Sequence, residues 1–334
     1  MRWSELRHDP HKRPLVVLIL TIAVLVAFGA RNGTLLSVAS VRSTLETASD
    51  TGLVALGLGL TMMIREFDLS VVGVFSAAGC IAVLTGNAHP FAGLLLALAL
   101  GLFAGLAQGY LIARLQLSSV GVTLGGMLVL SGLAYVLSEN RSLPYDNMDV
   151  ALALTQPLAV VFSIRSLLTL ALFVVAAFVV GTTRLGRDLI AMGSDRRAAT
   201  ITGVNVGAMI VGVFAFSGVM AALAGVLVSY SLASASPAGL SDVIVPAATA
   251  AILGGVSLAG GTGRPLGIAI GTLILGALHA GLNALGAPPY AEQIAMGAVL
   301  LVVAVADGPM LLRRVRMARR WLDLRPTSGV RRDG

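Results

Sequence analysis

Residues able to carry out chemistry are scarce in this sequence, and those present are poorly spaced for it. The four histidines, His8, His11, His89 and His279, are scattered along 334 residues without metal-ligand spacing. Cys80 is the single cysteine, so an internal disulfide and a cysteine-based metal cluster are both excluded. Lys12 is the single lysine. The glycine-rich run GGVSLAGGTGRP (Gly254–Pro265) is therefore not a phosphate loop, which needs a lysine behind its glycines and a strand before them. A Walker-type ATP site is excluded from this polypeptide. No paired carboxylates or clustered histidines mark a catalytic centre, and no cofactor or metal is expected on the chain.

The remaining polar groups lie inside or beside apolar runs. Gln108, Thr123, Ser131, Ser217, His279, Asn283 and Gln293 either line a hydrogen-bonding path for a neutral polyol or glue helices together. Glu46, Asp50, Asp242, Glu292 and Asp307 are placed near the ends of the runs. An ion-coupled carrier would need an acid deep within one. The segment REFDLSV (Arg65–Val71) sets three charges between two apolar runs. It reads either as a functional charge cluster or as a tight turn with Asp68 capping the next helix.

The elements that position these residues follow from composition. Hydrophobic residues make up 57% of the chain and charged residues 12%, where a soluble domain carries about 25% charged. Mean hydropathy is +0.91. Lipid is the natural solvent for such a chain, and in lipid closed helices satisfy the backbone. Ten runs are long enough to be candidate spans: 15–30, 45–64, 68–86, 91–113, 117–137, 166–182, 206–231, 242–260, 265–286 and 290–307. The runs 68–86 and 242–260 are the weakest. The first has a basic lead and the length of a signal peptide, but nothing after it looks like a secreted domain, so it is read as an uncleaved span.

With the N-terminus inside, 19 of the 23 basic residues fall in inside segments and 4, Arg31, Arg42, Arg141 and Arg165, fall outside. That bias predicts cytoplasmic termini: a tail over 1–14, a transmembrane domain over 15–307, and a basic tail over 308–334. The net charge of +7 sits in these loops and tails, which argues for a membrane rather than a nucleic-acid partner. Ten spans divide into two sets of five, and an odd-numbered repeat would be inverted in the membrane.

Two connections are long: an outside loop over 138–165 and an inside loop over 183–205. In the inside loop, Ser194 or Asp195 can cap a helix over Arg196–Thr202, and Gly203 suits its left-handed stop. A second short helix runs through Asp188–Met192 and stops at Gly193. The loop is either a docking surface or a solvated basic segment that sets topology.

Four stretches resemble the permease subunits of bacterial ribose/xylose/galactose-type ABC importers, within the wider branched-chain amino acid and monosaccharide permease superfamily. REFDLSVVGV is similar to the family's Gly-Gly-Ile-Asp-Leu-Ser-Val-Gly signature, with Arg65, Glu66 and Phe67 in place of Gly-Gly-Ile. TLGGMLVLSGLAYVLSENRSL (Thr123–Leu143) resembles a Thr-Leu-Gly…Arg-Gly-Leu segment, with Ser131 in place of Arg. GRDLIAMGSDRRAATITGVNV (Gly186–Val206) resembles the cytoplasmic coupling loop. The block around LGGVSLAGGTG resembles a late glycine-rich block of the family.

The resemblance implies an all-α inner-membrane permease that moves a pentose, a hexose or a similar small polar solute by alternating access. Sister branches carry autoinducers, nucleosides or branched-chain amino acids. It implies a second permease chain, an extracytoplasmic solute-binding protein, and a cytoplasmic ATPase holding ATP and Mg. The expected ATPase-coupling residues are Gly186, Arg187, Ala191, Gly193, Ala198, Ala199, Gly203 and Asn205, with Ala198 and Ala199 facing the partner. The expected path residues are Phe67, Asp68, Ser70, Gln108, Thr123 and Asn283. An ion-coupled carrier and a membrane-embedded lipid enzyme are the rivals.

Overall fold

The computed structural model describes residues 37–158, 160–238 and 243–301. The expected first span 15–30, both tails, and Arg31, Asp242 and Asp307 lie outside the described residues.

Eleven named helices and one two-stranded ribbon follow in chain order. They are α1 (Val38–Met63), α2 (Val71–Gly86), α3 (Pro90–Leu115), α4 (Ser119–Ser138), β1 (Leu143–Pro144), α5 (Met148–Thr155), α6 (Ile164–Thr182), α7 (Arg184–Ser194), α8 (Arg196–Ile201), α9 (Val206–Ser231), β2 (Ser234–Ala235), α10 (Ile244–Leu253) and α11 (Pro265–Ala284). Residues 289–301 are also helical. Among the described residues, five helices, α3, α4, α6, α9 and α11, are long and apolar enough to cross a membrane.

Local signals set the boundaries. Pro90 and Pro265 occupy first-turn positions of α3 and α11, where a missing N–H costs nothing. Ser163 and Ser166 form a reciprocal capping box at the start of α6. The Asn205 side chain accepts from Ala208 N–H at the start of α9. Helix α1 begins seven residues before the expected run at 45, because Ser37 caps it and accepts from Ser40 N–H.

Helix α9 is the centre of the bundle, with 78% of its spanning window buried, whereas only 17% of α4 is buried. Lipid supplies no hydrophobic drive between helices, so close backbone packing must hold them. Gly101, Gly105 and Gly109 do this on α3. A Cβ there would strike Gly218 O, Phe214 O and Val211 Cα on α9. Gly267 and Gly271 likewise bring α11 against Gly254 and Ala250.

The expected span over 242–260 is corrected. Helix α10 has 10 residues, about 15 Å at 1.5 Å per residue, or half the hydrocarbon thickness. It ends because Gly255 turns left-handed at φ 89°. Helix α2 has 16 residues, about 24 Å, because residues 64–70 ahead of it form a turn. The long connection 138–165 carries β1 and α5. Leu143 pairs with Ala235 and Pro144 with Ser234 in the β1–β2 ribbon. Tyr145 stacks on Tyr230 at 4.4 Å beside it.

Antiparallel helices sort the connections to two ends. One end gathers the turn 64–70, the segment 183–205 and the glycine loop 254–264, with Arg65, Arg184, Arg187, Arg196, Arg197 and Arg264. The other gathers the ribbon, α5 and the start of α1, with Arg42, Arg141 and Arg165.

Candidate functional site

The turn 64–70 places a carboxylate inside the bundle. Asp68 is 1% exposed. Its Oδ1 accepts from Ser70 Oγ at 2.6 Å and Ser70 N–H at 3.0 Å, and its Oδ2 accepts from Ser217 Oγ on α9 at 2.7 Å. Asp68 is therefore not the cap of α2; Ser70 holds that position, without a side-chain cap bond. A buried carboxylate needs a donor on each oxygen, and these three donors supply both. Thr123 on α4, fully buried, accepts from Leu69 N–H at 3.1 Å and lies 3.3 Å from Phe67 O. Phe67 N–H donates to Ser119 Oγ at 3.4 Å. Four of the six expected path residues, Phe67, Asp68, Ser70 and Thr123, thus meet in one place, with Ser217 and Ser119 completing the cluster. Gln108 on α3 lies against Gly126, about one turn beyond Thr123 on α4, and its buried Oε1 has no partner among the described residues.

The opposite side of the same turn meets α7 and α8. Helix α1 ends with Arg65 N–H on Met62 O at 3.0 Å and Glu66 N–H on Thr61 O at 3.0 Å, while Arg65 is left-handed at φ 64°. This is the Schellman arrangement, whose left-handed position is usually glycine. It is the position at which the resembled signature carries one. The Arg65 guanidinium donates to Ser194 O at 2.5 Å. Arg196 donates to Ile64 O at 3.0 Å and pairs with Glu66. Gly261 N–H donates to Met63 O at 2.8 Å.

The two-helix reading of 183–205 holds, with changes. Asp195 caps α8, accepting from Arg197 N–H and Ala198 N–H. Gly203 stops it at φ 86°, with Val204 N–H returning to Ala199 O at 3.0 Å. Helix α7 does not stop at Gly193 but runs from Arg184 to Ser194, because Gly193 is the point where it presses on α1: a Cβ there would collide with Met63 O and Gly261. Ala199 does not face outward; it is buried within the chain at 2% exposure. Gly186 is buried too, and a Cβ there would strike Val180 O. Of the expected coupling residues, Arg187, Ala191, Ala198, Gly203 and Asn205 are exposed, and Ile201 beside them is exposed at 86%.

At the other end lies a network that sequence reasoning missed. Asp50 is not near the end of a span but at the middle of the 26-residue α1. It pairs with Arg165 at 2.7 Å, and Arg165 also reaches Ser231 Oγ at 2.9 Å and Glu46 at 3.9 Å. Arg42 pairs with Glu46 at 2.9 Å and bonds Thr155 O. On α11, His279 Nδ1 meets Glu292 at 2.6 Å and its Nε2 meets the Asn283 amide at 2.8 Å. Asn283 therefore does not join the Asp68 cluster. Arg42, Glu46 and Asp50 are spaced four residues apart on one helix face, a signal that was present in the sequence.

A model of the family described as "Branched-chain amino acid transport system / permease component" matches residues 40–304. The chain belongs to this permease family. It is 31% identical over 301 residues to the ribose import permease protein RbsC of Haemophilus influenzae, covering 89% of this chain and 92% of that one. It is 30% identical over 268 residues to the L-arabinose transport system permease protein AraH of Escherichia coli, covering 78% and 79%. It is 28% identical over 315 residues to the fructose import permease protein FrcC of Rhizobium meliloti, covering 91% and 87%. No solved structure matches the chain.

For a permease, the arrangement offers hydrogen bonding rather than bond-making chemistry. The Asp68 cluster is a set of hydroxyls and one carboxylate at the seam of α2, α4 and α9. The segment 183–205 is wired to that seam through a single short turn.

Proposed function

We propose that this chain is the membrane subunit through which an ATP-driven importer moves a monosaccharide, a pentose or hexose. The observation that carries this reading is that permeases named for ribose, arabinose and fructose each align over most of their own length and most of this chain. The apolar helices and the family match support a membrane permease. The lone Lys12 supports the division of labour: ATP and Mg bind a separate ATPase, and a binding protein delivers the sugar from the other side.

In this reading the end carrying 183–205 faces the cytoplasm, because the basic residues gather there. The full topology has ten crossings in two inverted halves, the 242–260 crossing made by the short helix α10 together with the glycine loop after it, with both termini inside, a tail over 1–14, the permease domain over 15–307 and a second tail over 308–334. Two such chains, or this one and a relative, form the path. The ATPase docks on the exposed face of α7 and α8, with Arg187, Ala191, Ala198 and Ile201 touching it. Gly203 and Asn205 set the angle at which α9 leaves that face. The buried Gly186, Gly193 and Ala199 hold the face against the bundle. The sugar passes the cluster of Phe67, Asp68, Ser70, Thr123 and Gln108, where neutral hydroxyls exchange water for protein partners.

The test is uptake. The permease, reconstituted with its ATPase and binding protein in liposomes, is given labelled ribose, arabinose, xylose, galactose and fructose, and leucine for comparison. ATP-dependent accumulation of at least one sugar and not of leucine is expected. Accumulation of leucine with no sugar would overturn the reading.

A further inference from the structure

We propose that Glu66 and Arg196 form a strut that carries movement of α8 into the Asp68 turn, which makes them positioning residues for ATP-driven opening. Three observations support it. First, α8 is a six-residue helix whose one buried residue is Ala199, so its grip on the bundle depends on what reaches out from it. Arg196 is that reach: its guanidinium spans from the first turn of α8 to both the Glu66 carboxylate and Ile64 O. Second, Glu66 is only 9% exposed, unlike a surface ion-pair partner, and would be left as a desolvated charge if Arg196 moved away. Third, the turn is gripped on its far side as well. Phe67 N–H and Leu69 N–H donate to Ser119 and Thr123 of α4, and Asp68 is bonded to Ser217 of α9.

Seven residues thus join two gripped faces. Arg65 adds a second tie on the same side, from its left-handed position to Ser194 O. A displacement of α8 cannot be absorbed by slack in the turn, because the backbone on either side of Asp68 is bonded to the bundle within two residues. Pulling α8 therefore shifts Asp68 against Ser217 and Thr123, at the seam between α2, α4 and α9. Glu66 and Arg196 need not touch the sugar. They set where the residues that do are held.

This rests on the importer reading above, and the two fail differently. The assay uses the whole importer, assembled with its ATPase, in a Cys80→Ala background with Leu69→Cys as a reporter in the turn. The rate of labelling of that cysteine by a thiol reagent is measured with and without ATP. With the strut intact, ATP changes the rate by fivefold or more. Glu66→Arg and Arg196→Glu, each alone, remove most of the ATP-dependent change in rate, because the pair becomes a repulsion between like charges, while the ATPase still co-purifies. The double swap Glu66→Arg/Arg196→Glu restores the response. Glu66→Gln keeps the shape and serves where a reversal does not fold; it lowers the response severalfold. Single reversals or Glu66→Gln that keep the full response would overturn the strut, as would a folded double swap as unresponsive as the single reversals. A wild-type assembly that takes up no sugar but keeps the labelling response would overturn the sugar assignment and leave the strut standing.

Discussion

At the end carrying α7 and α8, three chain segments meet through contacts that end on backbone groups, with the Glu66–Arg196 pair beside them: Gly261 N–H on Met63 O, the Arg65 and Arg196 side chains on the carbonyls of Ser194 and Ile64, and Gly193 pressed on α1. At the opposite end, α1 meets α6, and α11 meets the helix over 289–301, through charged side chains: Arg42, Glu46, Asp50 and Arg165 in the first pair, His279 and Glu292 in the second. Backbone contacts at glycine distance leave no room for sliding. Ion pairs whose partners keep about a quarter of their surface exposed, as Arg42–Glu46 and His279–Glu292 do, separate at modest cost because water replaces what is lost, and the more buried Arg165 has as its partners Asp50 and Glu46, both over a quarter exposed. The difference teaches which end behaves as one body and which end can part. In an alternating-access permease, the first suits transmission from an ATPase and the second suits a gate.

The largest expected effect tests the rigid end. Gly193→Val adds an isopropyl group where even a Cβ meets Met63 O. Neither backbone can yield without unseating α7, so stability should fall by about 3 kcal/mol. The thermal midpoint of the detergent-purified protein checks this. A midpoint unchanged from wild type would mean that α7 is not seated on α1.

Arg165→Leu tests the other end and should cost about 2 kcal/mol, below the cost of breaking a fully buried pair because Asp50 keeps partial contact with water. Its signature is rescue: Arg165→Leu with Asp50→Asn should recover at least half of the loss, because the uncompensated carboxylate is gone. A double variant no better than the single one would show that the network holds the end by packing and not by charge.

Arg65→Gly should have the smallest effect. Glycine relieves a left-handed residue by about 1 kcal/mol, and loss of the bond to Ser194 O costs a similar amount. The net change in stability should stay within about 1 kcal/mol. A loss several times larger, read from the same melting curves, would place the Arg65 tie beside Gly193 among the contacts that seat α7.

The two ends also differ in how much the sequence revealed. Membrane helices were legible because length and apolarity are local properties, as for α3, α4, α9 and α11. The ends of α8 were legible because Asp195 and Gly203 are local signals. The 242–260 segment was misread because its apolar residues continue past a glycine stop, and hydropathy does not register a broken helix. Asp50 was misread because the span was begun at 45; the cap at Ser37 lies beyond the apolar run, so a mid-helix acid looked terminal. Ala199 and Gly193 were expected among the residues that couple to an ATPase, but the surface they approach is this chain's own. Sequence spacing cannot say which surface a small residue is saving room for. Phe67, Asp68, Ser70 and Thr123 come together because the signature and the start of α4 face one another across the turn, whereas Asn283 lies on a helix whose polar face is turned to Glu292.

The most direct measurement follows distances at both ends in the assembled importer, with Cys80 replaced by Ala and spin labels attached to introduced cysteines. One pair, at Arg187 on α7 and Leu258 in the glycine loop, spans the first end; the other, at Val41 on α1 and Leu167 on α6, spans the second. All four sites are exposed. ATP should leave the Arg187–Leu258 distance distribution unchanged and shift the Val41–Leu167 distribution. An ATP-driven shift between Arg187 and Leu258, with Val41 and Leu167 fixed, would contradict that expectation.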